Sequence, residues 1–127
     1  YKWGIFERPL PKKLYLDKCL LLGDAAHPMA PFLGQGGCLA IEDAYCLASL
    51  IKDKEDLNII VRKYDRLRNS RSRWIQKRSK LQGIFNHVSN PILAKIRNLV
   101  TKIIMNNSVN KLHSYNLIKE LSELKKI

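Results

Sequence analysis

The 127-residue sequence predicts a mostly α-helical chain that opens with one or two short strands. Five of the six glycines and four of the five prolines lie before residue 38, so loops and strands are expected only in the front of the chain. Behind it, apolar residues recur every three to four positions, which is typical of amphipathic helices. Because 46% of the residues are hydrophobic, the chain can build one core and should not be disordered throughout.

Two segments in the front of the chain predict strands. Residues 2–8 alternate apolar and polar side chains and are ended by two prolines. Residues 18–22 form a short apolar run that stops at Gly23, which fits a buried parallel strand. Residues 27–35 contain prolines and a glycine without any apolar period, and they predict a loop.

Four helices are predicted behind this loop. The first should be buried, because its apolar residues cover most of its circumference. Asn90 and Pro91 end the second helix, and Asn106, Asn107 and Ser108 separate the last two. The predicted helices span about Gly36–Lys52, about Leu57–Val88, residues 92–105 and residues 111–125.

The net charge of +12 is unevenly distributed. Residues 1–61 hold seven Lys/Arg and eight Asp/Glu, whereas residues 62–127 hold sixteen and three. Such asymmetry can indicate nucleic acid, an anionic membrane surface or an acidic partner domain. A basic helical module that binds nucleic acid or protein, with Trp74 as a stacking face, therefore stays an alternative. Nucleic acid is not expected, because the cations surround the helix and Arg71 and Arg78 fall on its apolar stripe.

The cysteines and the hydropathy bear on the compartment. Cys19, Cys38 and Cys46 form no CxxC pair and leave one odd, so neither a disulfide framework nor a metal site is predicted. No apolar run approaches the ~18 residues of a transmembrane helix, and no signal peptide is visible. Reduced cysteines in a cytoplasmic protein are therefore expected.

The segment from Gly23 to Gly37 carries the candidate chemistry. It begins where a strand ends and finishes where a helix begins, and ligands of α/β sheets bind at such strand ends. The Asp24 carboxylate can accept hydrogen bonds from hydroxyl groups, and the N–H groups of the helix start are unpaired. Gly34, Gly36 and Gly37 carry no Cβ, so a flat ring could approach the backbone closely. The segment predicts a polyhydroxylated, electron-rich ligand.

A turn with a capping bond and a tight start of a helix would explain the two halves of this segment without a ligand. The two halves occur together, however, and Ala25 and Ala26 between them demand close packing. This combination favours the ligand interpretation.

The same segment resembles the second flavin-binding motif of FAD-dependent aromatic hydroxylases, the single-component flavoprotein monooxygenases. It is most similar to the salicylate hydroxylase branch, and it is also similar to zeaxanthin epoxidase. The matching positions are Gly23, Asp24, Ala25, Ala26, His27, Pro31, Gly34, Gln35, Gly36, Glu42 and Asp43. Upstream, Trp3 and Glu7-Arg8-Pro9 resemble the last strand of the substrate domain. Downstream, the positions that resemble the Tyr-x-x-x-Arg-x-x-Arg helix of the family are Tyr64, Arg68 and Arg71.

The resemblance implies an α/β complete enzyme with a Rossmann-like FAD-binding domain, of which this chain is about the C-terminal third. The GxGxxG unit and the middle Asp-Gly motif of the family are not in the sequence, so the remaining N-terminal part is an expected partner. Residues 1–10 would be the last strand of the substrate-binding sheet, residues 11–56 the C-terminal part of the FAD-binding domain, and residues 57–127 a helical region.

The resemblance also implies the roles of individual residues. Asp24 would hold a ribityl hydroxyl of FAD, and the N–H groups of Gly36 and Gly37 would face flavin N1 and O2, where negative charge grows on reduction. Pro31 and Phe32 would wall the space where the substrate meets the ring, as the catalytic-site residues of this chain. The implied cofactor-binding residues are Gly23, Asp24, Pro31, Gly34, Gly36 and Gly37.

The implied reaction is an aromatic hydroxylation. NADH or NADPH reduces the flavin, O2 adds to form a hydroperoxide, and one oxygen atom passes to a carbon of a phenolic-acid-like substrate. A related flavin epoxidase or a quinone-pathway hydroxylase remains an alternative.

Several ionisable side chains have a structural interpretation. His27 is expected to pack the loop rather than act as a general base, and His87 and His113 are expected to be packed or solvated. Glu42 and Asp43 lie in the first turns of a helix, where they favour its dipole. Hydrogen bonding between the helix and the loop is the alternative for these two acids.

Overall fold

The computed structural model describes Gly4, residues 6–17 and residues 19–124. Within this part, two short strands and two 3-10 turns precede four α-helices, which confirms the predicted mostly helical chain. The elements are β1 (Tyr15–Leu16), β2 (Cys19–Leu20), the 3-10 turns Gly23–Ala25 and Pro31–Leu33, α1 (Gly36–Ile51), α2 (Leu57–Asn86), α3 (Pro91–His113) and α4 (Leu117–Leu124).

The described strands form an antiparallel hairpin in which residues 19–22 are exposed or half-buried, so the burial predicted over residues 18–22 is wrong for the described chain, whereas pairing with parallel strands outside this chain stays a prediction. Tyr15 pairs with Leu20, and Leu16 pairs with Cys19, whose side chain is exposed. Asp17 has a φ of 49°, the left-handed backbone that tight two-residue hairpin connections require. Lys18 lies outside the described residues. A short apolar run does not by itself specify its pairing partner, and here the adjacent segment supplies it.

The predicted strand over residues 2–8 is not found in the part of it that is described. Gly4 and residues 6–8 have no regular structure, while residues 1–3 and Ile5 lie outside the described residues. Side chains attach this segment instead: Arg8 donates to the Ala25 carbonyl, and Gln76 donates to the Arg8 carbonyl at 2.8 Å.

The core lies between α1, α2, α4 and the segment before β1. One face of α1 is buried there, but Ile41 and Tyr45 on the other face are 72% and 49% exposed. The prediction that α1 is buried around most of its circumference is therefore wrong for the described chain, since α2, α4 and the Gly23–Ala25 turn pack on one side only. The core residues are Leu10, Leu14, Ala26, Cys46, Leu50, Ile60, Tyr64, Leu67, Leu117 and Leu121.

The bounds of α1 and α2 agree with their predictions within two residues at each end. At the start of α2, the Asp56 side chain accepts a hydrogen bond from the Asn58 N–H at 2.8 Å, as an N-cap residue does. At the start of α3, Asn90 caps the helix in the same way and Pro91 occupies its first turn. Because these capping residues are local features of the sequence, the predicted starts of α2 and α3 lie close to the observed ones.

The predicted break at residues 106–108 is wrong, because α3 runs through it to His113. Asn and Ser cost less than ~1 kcal/mol in a helix interior, which is too little to end a helix alone. The break comes instead before α4, where the Asn116 side chain accepts from the Lys119 N–H at 3.1 Å. None of the described helices combines the length and the apolarity needed to cross a bilayer.

Candidate functional site

The turn after β2 is held by backbone geometry and packing. Gly23 has a φ of +53°, and a Cβ at this position would lie 3.3 Å from the Ala40 Cβ on α1. A side chain would therefore be strained and crowded here. The Gly23 N–H donates to the Asp43 carboxylate at 3.0 Å, so the turn is tied directly to α1. Gly23 is thus required by the fold of this chain, independently of a ligand.

Asp43 is the centre of a buried polar cluster. Its carboxylate is fully buried and accepts hydrogen bonds from the Gly23 N–H, from His27 Nε2 at 2.7 Å and from Arg68 Nε at 2.7 Å. Burial alone would raise the pKa of Asp43, but the hydrogen bonds from His27, Arg68 and Gly23 and the Arg68 charge outweigh it and lower the pKa. The expectation that this acid mainly favours the helix dipole is wrong; its alternative, bonding between helix and loop, is what the structure shows.

Arg68 is also fully buried and bridges three elements. Its guanidinium contacts Glu42 at 2.7 Å and donates to the Tyr115 hydroxyl, before α4, at 3.2 Å. Burial would lower the pKa of Arg68, but the hydrogen bond and the charge of Asp43, together with Glu42, raise it. Arg68 therefore stays charged, and its charge is balanced inside the core.

Arg71 supports the same cluster from one turn further along α2. It contacts Glu42 at 3.1 Å and the Leu112 carbonyl at 3.2 Å, and its guanidinium lies 4.1 Å from the centre of the Tyr115 ring. The sequence identified Arg68 and Arg71 as part of a motif but did not predict their acidic partners. The adjacent acids Glu42 and Asp43 on α1 and the two arginines three residues apart on α2 could have indicated this pairing.

His27 has the structural role that its sequence context predicted. It is fully buried, and because the Asp43 carboxylate stays ionised, His27 Nε2 must carry the proton that it donates. Nδ1 has no hydrogen-bond partner among the described residues. His87, by contrast, bonds to the Gly83 carbonyl through Nδ1 at 2.6 Å, and His113 is exposed.

The residues that could hold FAD lie on the exposed side of this cluster. Asp24 is exposed, and none of the described side chains forms an ion pair or hydrogen bond with it. A Cβ added at Gly34, Gly36 or Gly37 would meet nothing within 4 Å, so the chain leaves open space beside the start of α1. The first N–H groups of a 16-residue helix face that space without intrahelical acceptors. A free carboxylate, an open backbone and unpaired donors fit the ribityl chain and the ring of a flavin.

Phe32 packs on α2. Its ring lies edge-on to the His87 ring, with 5.8 Å between the centres, and stands directly over Gly83. Together with Ala30 it borders a cleft of about 530 Å³ that the loop forms with the last turns of α2. The structure thus places the turn of Gly23 and Asp24 against α1, and the turn that contains Phe32 against α2.

The pairing of the basic helix argues against a nucleic-acid surface. Arg68 and Arg71 point inward to acids, and Lys63 contacts Glu55 at 2.6 Å. Arg78 and Lys111 lie 5.6 and 5.4 Å from the Trp74 ring centre, so cations already cover the predicted stacking face. Part of the positive charge of α2 is therefore paired with acids or aromatic rings within the chain and does not form a free basic surface.

Comparisons with known proteins define the class. The family described as FAD binding domain matches residues 7–78, and the chain belongs to this family. A 3-amino-4-hydroxybenzoate 2-monooxygenase of Streptomyces platensis is 39% identical over 65% of this chain and 21% of its own length. A 3-hydroxybenzoate 6-hydroxylase of Aquipseudomonas alcaligenes is 37% identical over 76% of this chain and 25% of its own length.

A solved structure agrees with these relatives. The crystal structure of a Klebsiella pneumoniae HpxO variant complexed with FAD matches 87% of this chain and 30% of its own chain, with 27% identity and a TM-score of 0.73. The predicted resemblance to FAD-dependent aromatic hydroxylases is confirmed, and so is FAD as the cofactor of the family. The chain spans about a fifth to a quarter of the length of the two sequence relatives.

Proposed function

We propose that the complete protein is an NAD(P)H-dependent FAD monooxygenase that hydroxylates a phenolic-acid-like aromatic substrate. The overall reaction consumes NADH or NADPH, a proton, O2 and the arene, and yields NAD(P)+, water and the phenol. FAD, when bound, supplies the redox centre that takes two electrons from the nicotinamide and activates O2. The names of two relatives, a hydroxybenzoate hydroxylase and an aminohydroxybenzoate monooxygenase, support this substrate class.

One observation carries the cofactor part of the proposal. The exposed Asp24 carboxylate lies in the Gly23–Ala25 turn, which Asp43 fixes through the Gly23 N–H, and the glycines at the start of α1 leave open space. In this proposal Asp24 accepts a hydrogen bond from a ribityl hydroxyl, and the N–H groups of Gly36 and Gly37 donate to flavin N1 and O2. Gly23 and Gly34 contribute their left-handed backbones to the two ends of the loop, with φ values of 53° and 62°.

Pro31 and Phe32 would border the substrate side of the ring. Both are exposed in this chain, and Phe32 retains 36% of its surface, so an apolar wall is available to an aromatic ligand. Their task would be to orient the substrate and keep water from the reacting atoms.

The remaining parts of the proposal concern the complete protein. We place residues 1–10 in the substrate-binding sheet, residues 11–56 in an α/β FAD-binding domain and residues 57–127 in a helical region, with the N-terminal part of the same chain as their partner. A cytoplasmic location is proposed because the three cysteines, one of them buried, are free thiols.

Oxygen uptake with mass analysis of the product tests the reaction. The complete enzyme with NADH or NADPH is offered salicylate-like acids, other phenols, quinone-type compounds and carotenoids. A hydroxylated phenolic acid is the expected product. Uptake that yields only hydrogen peroxide with every compound would contradict the hydroxylase, and turnover of a carotenoid or a quinone alone would move the protein to the alternative class.

Two variants separate the proposed roles of the site residues. Asp24→Ala should weaken FAD binding ~10–150-fold, the value of one charge-assisted hydrogen bond, with little effect on the flavin potential. Gly37→Val should instead lower the reduction potential and slow reduction by NAD(P)H, because a side chain displaces the ring from its donors. Glu123→Ala, an exposed acid on α4, is the control. An unshifted potential in folded Gly37→Val would remove Gly37 from the site.

A further inference from the structure

One face of α2 holds the loop over residues 28–32 at three successive points. Gln76 Nε2 donates to the Pro28 carbonyl at 3.0 Å, and the buried Ser79 hydroxyl donates to the Ala30 carbonyl at 2.6 Å. The third point is steric, since the Phe32 ring lies against the backbone of Gly83. A Cβ at Gly83 would stand 2.4 Å from Phe32 Cε2, so any larger side chain at this position would force the ring to move.

The spacing of these contacts explains their regularity. Positions 76, 79 and 83 share one face of a helix, and positions 28, 30 and 32 are alternate residues of a chain that is extended at Ala30. Seven residues of helix rise about 10.5 Å, and the four residue steps from Pro28 to Phe32 span less than the roughly 13 Å of a fully extended chain, because a 3-10 turn begins at Pro31. The loop can therefore lie along α2 with its alternate residues in register with successive turns of the helix.

We propose that Gln76, Ser79 and Gly83 are positioning residues that set where Pro31 and Phe32 stand relative to the start of α1. The inference rests on the proposed function, since it is the wall of the substrate space that they would position. Ser79 and Gly83 lie beyond residues 7–78, which the FAD binding domain family matches. Gly83 interrupts an otherwise regular helix interior, where Gly is the least favourable residue after Pro. Its contact with Phe32 gives a reason for a glycine at this position.

Ser79→Ala tests the hydrogen-bonded part, with Ser72→Ala as a matched control. Both serines are buried on α2, but the Ser72 hydroxyl has no partner among the described residues, whereas Ser79 holds Ala30. The measurement is hydrogen exchange of the Gly34 amide, which bonds to the Pro31 carbonyl, in the complete FAD-loaded protein. Ser79→Ala should lower its protection roughly tenfold, within the ~5–150-fold that a lost buried hydrogen bond allows, and Ser72→Ala should leave it unchanged. Equal protection in the two variants would overturn the proposal.

Gly83→Ala tests the steric part through a double-mutant cycle with Phe32→Ala. With Phe32 present, the added methyl should displace the ring, lower Gly34 protection and reduce the rate of hydroxylated product formation by up to ~100-fold. With Phe32→Ala, the same change should leave protection unaltered and raise the melting temperature, because Ala favours a helix over Gly. Equal effects of Gly83→Ala in both backgrounds would contradict the proposed contact.

The two readouts separate failure of this inference from failure of the proposed function. If the unmodified enzyme hydroxylates no aromatic compound, the monooxygenase proposal fails, and the exchange data still decide whether α2 positions the loop. If the enzyme hydroxylates a phenol but substitutions at Ser79 and Gly83 do not change the hydrogen exchange of residues 28–34, only the positioning role is wrong.

Discussion

Two regions of the molecule differ in what they bury. The contact between α1 and α2 buries charged and polar side chains, whereas α3 leaves apolar side chains exposed. Between α1 and α2, Asp43, Arg68 and His27 are fully buried. Along α3, no residue with a described side chain is buried, and Ile92 and Leu99 are 71% and 64% exposed. The polar groups are inside because each meets a partner of opposite charge or a hydrogen bond, whereas Ile92 and Leu99 of α3 stay mostly exposed in the described chain. Hydropathy alone would have predicted the apolar residues of α3 to be buried and the charged residues of α1 and α2 to be exposed.

Removing the central acid should have the largest effect. Asp43→Ala removes one of the two carboxylates that balance the buried charge of Arg68 and also frees the Gly23 turn and His27, so we expect a loss of about 3–5 kcal/mol in the free energy of unfolding. Urea unfolding of the complete protein measures it. Glu123→Ala on α4 should stay within ~0.5 kcal/mol. Equal losses in both variants would show that the buried cluster does not stabilise the fold.

The same leucine truncation should differ between the two regions. Leu39 on α1 is fully buried, so Leu39→Ala should cost about 2–5 kcal/mol. Leu99→Ala on α3 should cost less than ~0.5 kcal/mol, since most of that side chain is exposed. Unfolding curves of the complete protein compare them. A large loss for Leu99→Ala would mean that another part of the complete protein covers α3.

Cys46 in the core should make the protein sensitive to alkali. Burial raises the pKa of its thiol from 9.0 to about 11, with smaller effects from Arg68 and Asp43. Between pH 9 and 11 the thiol therefore stays protonated in the folded state but ionises in the unfolded state. Its contribution to the free energy of unfolding is complete below pH 9 and is lost as the pH rises to 11. A pKa difference of two units corresponds to roughly 3 kcal/mol in the free energy of unfolding.

Cys46→Ala should remove this part of the alkaline loss of stability, measured as the free energy of unfolding from pH 8 to 11. Cys19→Ala, at an exposed cysteine of β2, is the control and should keep it. If both variants keep the full pH dependence, another group is responsible.

The smallest effect is expected at the edge of the buried cluster. Tyr115→Phe removes the hydroxyl that Arg68 contacts at 3.2 Å but keeps the ring beneath the Arg71 guanidinium. We expect a loss of about 1 kcal/mol. Tyr45→Phe, on the exposed face of α1, should change stability by less than ~0.5 kcal/mol. A loss at Tyr115 no larger than at Tyr45 would limit the cluster to α1, α2 and the loop.

The sequence by itself determined the helices α1 and α2 and the family of the chain. Apolar periodicity and capping residues such as Asp56 are local signals, and they act within one or two turns of the chain. The flavin motif is likewise a contiguous segment, from Gly23 to Asp43, so its resemblance could be found without coordinates.

Only the tertiary structure decided what these elements meet. It made residues 15–20 a hairpin, left one face of α1 uncovered, carried α3 through residues 106–108 and joined Asp43 to Gly23, His27 and Arg68. Each of these outcomes depends on partners distant in sequence or on small energy differences between alternative local structures. Pairing and burial are properties of such contacts, and no local pattern of residue types specifies them.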